Sequence, residues 1–340
     1  MVKSMSNGLK VPVKDAENVK KHLQSLGVFD SGKKVKRRRD YVIFPIKYPV
    51  EMIYKVVEEE FIDDHRFKFQ DYLKEFLSQS QIDIFGHSYD VIGNIAIIRV
   101  PSVLASYENK IADSLLKAHR NIKKVYKKAG SVKGKSRTRE LVHLGGGKGT
   151  ITQHNEYGCR YMLDVSKVYF SPRLAYERNR ILEIVRDGEV IIDFFSGVGP
   201  FSIILAKNRD VQIYSMDANP LAYKYLKKNI ILNNVVNKVI PVFGNCLDVA
   251  PKGIANRVIM NLPKSSDEYL SLAFDVIKKG VIHFYSISYK DDLYDSKIIF
   301  IKNIAKNKKR KINILNKRVV RSYSPNNYLI AIDIFVDDSH

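Results

Sequence analysis

The sequence predicts an α/β protein whose larger part is a doubly wound parallel sheet finished by an antiparallel hairpin. Three observations carry that prediction. From residue 172 to about 300, short apolar runs alternate with stretches of helical spacing. Three of those runs end in polar signatures: 190–192 leads into Asp193-Phe194-Phe195-Ser196-Gly197-Val198-Gly199, 213–216 into Asp217-Ala218-Asn219-Pro220, and 257–260 into Asn261-Leu262-Pro263-Lys264. The tail, 317–322 and 328–336, reads as two strands about a turn at Pro325-Asn326-Asn327. Alternating strands and helices give a parallel sheet, and the terminal hairpin separates this sheet from a plain dinucleotide-binding one.

Along the chain, residues 15–26 have helical spacing (Ala16, Val19, Leu23, Leu26) and stop at Gly27. Residues 41–46 read as a strand. The stretch 58–71 is charged and aperiodic and reads as a linker. A short helix is expected at 71–77, a strand–turn–strand at 90–101, and a long amphipathic helix over 107–126. Short strands follow over 134–169, broken by Gly145-Gly146-Gly147. That triplet lacks the Gly-Lys-Ser/Thr ending of a phosphate loop and reads as a flexible hairpin tip. Helices at 173–185, 200–208, 220–232 and 266–279 then alternate with strands at 190–194, 211–216, 238–243, 257–260 and 281–286. The expected domains are 1–62, a linker 63–70, an accessory α+β domain 71–165, and the doubly wound domain 166–340.

Bulk properties narrow the function. The 340 residues hold 57 Lys+Arg against 36 Asp+Glu, a net charge of +21. The basic residues cluster at 33–39, at Lys123 through Lys133, Lys135, Arg137 and Arg139, and at 306–311. That pattern favours a polyanionic partner, nucleic acid above all. Only Cys159 and Cys246 are present, without metal-type spacing, so no metal is expected and a reducing, cytoplasmic setting fits. No run approaches the ~18 apolar residues of a membrane span.

Ligands of open parallel sheets bind beyond the C-terminal strand ends. There Gly197 and Gly199 admit a close ligand, and Asp217 is suited to accept from two ribose hydroxyls. Asn261, on a proline-stiffened turn, offers a donor and an acceptor in the plane of a flat base. Together these features suggest S-adenosylmethionine facing a ring or exocyclic nitrogen. Ser202 stands where a third glycine of a dinucleotide fingerprint belongs, which argues against NAD. In Pro172-Arg173-Leu174-Ala175-Tyr176-Glu177-Arg178-Asn179-Arg180, Glu177 shares a helix face with Arg173 and with Arg180. The segment directly precedes the first strand of the sheet. A surface ion-pair ladder and a general base beside phosphate-holding arginines are both open there.

These blocks, with Arg137-Thr138-Arg139-Glu140-Leu141 and Lys167-Val168-Tyr169-Phe170-Ser171-Pro172-Arg173-Leu174, resemble the archaeal and eukaryotic tRNA (guanine-37 N1)-methyltransferases over most of the chain. The resemblance implies a class I methyltransferase fold, a small tRNA-recognition domain in front, and methyl transfer from S-adenosylmethionine to N1 of guanosine 37. It implies that Glu177 removes the N1 proton, that Arg137 steadies the guanine O6, that Asn261 orients the base, and that Arg173 holds phosphate or stabilises the site. Arg178, Asp193, Phe195, Gly197, Gly199, Asp217, Ala218, Asn245, Cys246 and Asn261 would line the cofactor. Arg137, Arg139, Lys133, Lys135 and Lys264 would meet RNA. The partner implied is tRNA, gripped at its anticodon stem-loop and outer corner by a monomer. Asn245 departs from the acidic residue usual there, which puts adenine binding in question. Wyosine-pathway relatives share the fold, so a carbon-directed activity on the tricyclic guanine at the same position is the alternative. A non-catalytic RNA-binding protein of this fold is another.

Overall fold

The computed structural model describes residues 3–62, 68–86, 89–129 and 140–337. The chain divides into two compact units, Met1–Phe76 and Leu77–His340.

In the first unit, β1 (Lys3–Pro12), α1 (Ala16–Ser25), β2 (Lys36–Arg37), β3 (Tyr41–Pro45), β4 (Lys55–Ile62) and α2 (Phe69–Lys74) follow in order. The strands form one sheet in the order β2-β3-β1-β4. Leu9, Val11, Val19, Leu23, Val42, Phe44 and Ile46 make its core. The expected linker over 58–71 begins too early, because residues 58–62 belong to β4. Their charges are held on a strand by ten-residue β1, with Lys3 opposite Ile62 and Glu58 opposite Asn7. Backbone pairing overrides a weak side-chain pattern there.

The second unit begins with α3 (Gln79–Phe85), β5 (Tyr89–Ile92), β6 (Ile95–Ile98), α4 (Glu108–Ala118), β7 (Lys124–Lys128) and β8 (Leu141–Gly146). These four strands pair in chain order. The helix expected over 107–126 stops at Ala118, since residues 124–127 pair in parallel with β6. The triple glycine is not a loose tip. Gly145 and Gly146 end β8, and at φ +75° a side chain on Gly146 would overlap the Lys123 carbonyl. Close backbone approach is what demands glycine.

The hairpin of β9 (Ile151–Glu156) and β10 (Cys159–Asp164) comes next. The remaining elements are α5 (Ala175–Ile184), β11 (Val190–Asp193), α6 (Pro200–Asn208), β12 (Gln212–Asp217), α7 (Pro220–Leu232), β13 (Val239–Phe243), α8 (Cys246–Val249), β14 (Ala255–Met260), α9 (Ser266–Val276), β15 (Ile277–Tyr289), α10 (Asp295–Asn307), β16 (Ile312–Ser324) and β17 (Asn327–Val336). The seven strands lie in the order β13-β12-β11-β14-β15-β17-β16. β11 to β15 pair in parallel, whereas β17 runs antiparallel to β15 and β16. This is the class I methyltransferase sheet with its terminal hairpin.

Helices cover both faces, so alternate residues of each strand enter two different cores. Ile191, Ile213, Ile259 and Tyr285 join the one beneath Ile181, Phe201 and Leu226. Ile192, Val258, Met260 and Phe284 join the one beneath Leu270, Phe274 and Ile301. The β9–β10 hairpin is sewn onto α7 by two asparagines. Buried Asn229 accepts from the Met162 amide at 2.7 Å and donates to the carbonyls of Met162 and Val198 at 3.0 Å each. Asn233 accepts from the Arg160 amide and donates to its carbonyl.

Candidate active site

The strand ends set the pocket's frame. After β11 the chain turns through Phe194–Gly199, and Asp217 at the end of β12 pins that turn. Its Oδ2 accepts from the Gly197 amide at 2.8 Å and its Oδ1 from the Asn219 amide at 2.8 Å. Asn219 caps α7 by accepting from the amides of Leu221 and Ala222. Asp217 is therefore a brace and not the helix cap, and its two oxygens keep lone pairs for further donors. Burial pushes its pKa up. The two glycines differ in purpose. A Cβ on Gly197 would meet nothing nearer than the Tyr169 carbonyl at 3.7 Å, which leaves room for a ligand. A Cβ on Gly199 would press Leu226 at 2.7 Å and Ile203 at 2.9 Å, so that glycine serves helix packing and a φ of +89°.

The other residues expected to line a cofactor have the following surroundings. Asp193 is wholly buried under the turn, accepting from the Ser202 hydroxyl at 2.9 Å and the Phe195 amide at 3.4 Å, and burial raises its pKa to about 7. It shapes the turn from below. Arg178 is 1% exposed, bonds Glu156 with Nε at 2.6 Å and Nη2 at 2.5 Å, and donates to the Ser171 carbonyl. That buried bidentate pair ties α5 to β9. Cys246 is buried, with its thiol pushed up to about 12 by burial, so it stays protonated. Asn245 caps α8 by accepting from the Leu247 amide at 3.2 Å. Phe195 packs edge-on against Tyr269 at 4.9 Å, and Ala218 is exposed.

Asn261 follows β14 directly and is half-buried. Among the described residues its side chain makes no hydrogen bond, so its amide is available to a ligand. On the neighbouring strand, Met260 pairs with Phe284, which places Tyr285 one step past that rung, level with Asn261.

Tyr285 leads to Glu177. Glu177 is 1% exposed, and its Oε1 accepts from the Tyr285 hydroxyl at 2.7 Å. Arg180 donates to the same oxygen through Nη2 at 2.7 Å and Nε at 3.0 Å, the three-apart pairing read from the sequence. Arg173 does not join them. A 3-10 turn over Pro172–Leu174 precedes α5 and sends it to Asp90 at 2.6 Å.

Behind Glu177 runs a chain of buried charges. Arg180 also donates to Asp333 at 2.7 Å, Asp333 accepts from His283 Nδ1 at 2.6 Å, and Arg257 donates to His283 Nε2 at 2.7 Å. Arg257 closes the chain on Glu189 at 2.6 Å. Arginine has no acceptor, so His283 Nε2 must be the bare nitrogen and Nδ1 must carry the hydrogen. The ring is neutral, and burial, only partly opposed by Asp333, lowers its pKa. Burial opposes the charge on both Arg180 and Asp333, yet their partners more than offset it: Arg180 is raised and Asp333 lowered. Tyr285 is raised well above its usual value by burial and by the Glu177 charge, so it remains a donor.

Sequence reasoning missed Tyr285, Arg257, His283 and Asp333. The signal for the last three was present: each is an ionisable residue inside an apolar strand, where only partnered charge survives. Lys264 is exposed, with Nζ 6.0 Å from the Tyr323 ring. Arg137, Arg139, Lys133 and Lys135 lie outside the described residues. Among the described residues no cluster of His, Cys, Asp and Glu suits a metal ion.

Comparison with known proteins shows what the chain is similar to. The TRM5/TYW2 methyltransferase domain matches residues 152–315, the TYW2 N-terminal domain 69–149 and the tRNA methyltransferase 5 N-terminal domain 8–54. The tRNA (guanine(37)-N(1))-methyltransferase Trm5b of Pyrococcus abyssi is 42% identical over 98% of this chain and 99% of its own, and its crystal structure matches with a TM-score of 0.75. A structure of aTrm5 in complex with tRNALeu matches at 34% identity over 97% of this chain and 99% of that one, with a TM-score of 0.72. TYW2 of Methanocaldococcus jannaschii in complex with AdoMet matches at 28% identity over 74% of this chain and all of that one, with a TM-score of 0.59.

Proposed function

Because the chain belongs to the TRM5/TYW2 methyltransferase family, we propose that it transfers a methyl group from S-adenosylmethionine to N1 of guanosine 37 in tRNA, with Glu177 as the general base. The observation that carries the assignment of the base is the carboxylate of Glu177. It is buried beside the end of the sheet, held by one oxygen, and left with the other oxygen without a hydrogen bond among the described residues. The residues at the strand ends suit the cofactor: Asp217 has unfilled lone pairs beside an unobstructed Gly197, and Asn261 has an uncommitted amide. S-adenosylmethionine brings an activated methyl on a sulfonium, already a good leaving group. The protein must therefore supply alignment and a proton acceptor. Alignment of two reactants is worth roughly 7–11 kcal/mol, and a placed base adds about 10²–10⁴-fold.

The residues divide that work. Asn261 orients the guanine edge, and Glu177 takes the N1 proton as the new N–C bond forms. Arg137 steadies the charge that develops on O6. The net charge of +21 and the exposed Lys264 at the strand ends support tRNA as the partner, gripped at its anticodon stem-loop and outer corner. A cytoplasmic setting suits a tRNA-modifying role; no described helix is long and apolar enough to cross a membrane.

The test is a reaction of protein, labelled cofactor and unmodified tRNA transcript, followed by digestion and identification of the modified nucleoside. Label in 1-methylguanosine at position 37 is expected. Glu177→Gln should lose at least about 10²-fold in single-turnover rate while cofactor affinity survives. Label on carbon, at another position, or a near-parental rate for the variant would overturn the assignment.

A further inference from the structure

The two oxygens of Glu177 are treated unequally. Three donor atoms, the Tyr285 hydroxyl and Arg180 Nη2 and Nε, all converge on Oε1 at 2.7, 2.7 and 3.0 Å. Oε2 is buried and, among the described residues, accepts no hydrogen bond. Arg318 Nη1 on edge strand β16 stands 3.4 Å away at ion-pair distance without hydrogen-bond alignment. Arg318 also lies over the exposed ring of Tyr176, 5.3 Å from its centroid. Folded chains rarely leave a buried carboxylate oxygen bare.

The bias is enforced. Arg180 cannot swing to share its donors, because Asp333 holds its far side and His283, Arg257 and Glu189 hold Asp333 in turn. Tyr285 is fully buried beside Phe201, with ring centroids 6.2 Å apart, so its hydroxyl is fixed as well. The chain spans α5, β17, β15 and β14, and each of its members occupies a rigid element or abuts one. A carboxylate gripped this way cannot rotate to exchange its oxygens.

We propose that Tyr285 and Arg180 are positioning residues that select Oε2 of Glu177 as the atom receiving the substrate proton. The inference rests on the reading of Glu177 as the base. In the step, the N1–H proton moves to Oε2, N1 gains the methyl carbon, and the carbon–sulfur bonding pair stays with sulfur. The clamp keeps the accepting lone pair aimed while Oε1 carries the stabilising donors. Neither positioning residue touches the guanine.

The experiment compares Tyr285→Phe, Arg180→Lys and Glu177→Gln in the full-length protein with tRNA transcript. Phe keeps the buried ring and removes only the hydroxyl; Lys keeps a charge for Asp333 and removes the forked grip. Single-turnover rates should fall about tenfold for Tyr285→Phe and about a hundredfold for Arg180→Lys. Dissociation constants for tRNA and cofactor should stay within about twofold of the parent's. A part that serves only folding would move melting temperature or affinity in place of the transfer rate. Rates within twofold of the parent for both variants, with Glu177→Gln inactive, overturn the clamp and leave the base standing. A near-parental rate for Glu177→Gln overturns the base itself.

Discussion

Asp193 offers a sharp test of how the pocket floor is built. The carboxyl is completely buried, with its pKa raised to about 7 from an ordinary 3.8, by burial first and then by the neighbouring Asp217 charge. A raised acid holds its proton more tightly in the folded state than in the unfolded one. Stability is therefore greatest below the unfolded pKa and falls as pH climbs from about 4 to about 7, above which the full penalty is present. Asp193→Asn removes the titration and keeps the shape. Its amide oxygen can still accept from Phe195, and its nitrogen can donate to the Ser202 hydroxyl. Between pH 5 and pH 8 the pKa difference amounts to about 2.5 kcal/mol of stability lost by the parent and not by the variant. The pH-independent cost of the amide cancels when the two pH values are compared. Urea unfolding of both proteins at pH 5, 6, 7 and 8 measures the quantity directly. The variant's relative stability should improve steadily with pH. A stability difference flat to within about 0.5 kcal/mol over that range would refute the argument that Asp193 is a costly buried acid.

Asn229→Ala strips partners from three backbone groups at once, one buried and two part-buried, and should cost about 3 kcal/mol in denaturant unfolding, at the upper end for an unpaired buried group; a loss below about 1 kcal/mol would mean that water or a shift of β10 replaces the asparagine. Gly199→Ala forces a side chain onto a φ of +89° and against Leu226 and Ile203, so stability should fall by about 2–4 kcal/mol, with weaker cofactor binding by calorimetry. The affinity for tRNA should fall steeply with salt. Lys264→Ala should weaken it and reduce the log–log salt slope by about one, with cofactor affinity unchanged; an unaltered slope would remove Lys264 from the RNA surface.

Much of the fold and part of the site could be read from residue order alone. A run such as Val190-Ile191-Ile192 ending in Asp193 and a Gly-x-Gly turn announces a central parallel strand, because a strand buried on both faces has no polar side to show. The same logic announced the ends at Asp217 and Asn261, and helical spacing put Glu177 and Arg180 on one face. Local rules failed where partners distant in sequence decide. The strand over 58–62 exists because β1 pairs with it, and the helix after residue 107 ends early because β6 claims residues 124–127. The partner of Arg178 is also set by the fold, which brings Glu156 to it from 22 residues earlier in the chain.

The sequence by itself determined the class of sheet, the places where its pocket opens, the demand for a polyanionic partner, and a carboxylate fit to serve as base. Short-range patterning suffices for these because apolar period, glycine turns and net charge are properties of neighbouring residues or of simple sums. Only the tertiary structure decided which oxygen of that carboxylate is left bare. That choice depends on Tyr285 lying 108 residues from Glu177 and on Asp333 lying 153 residues from Arg180. Hydrogen bonds act over about 3 Å, and folding alone determines which distant side chains come within that reach.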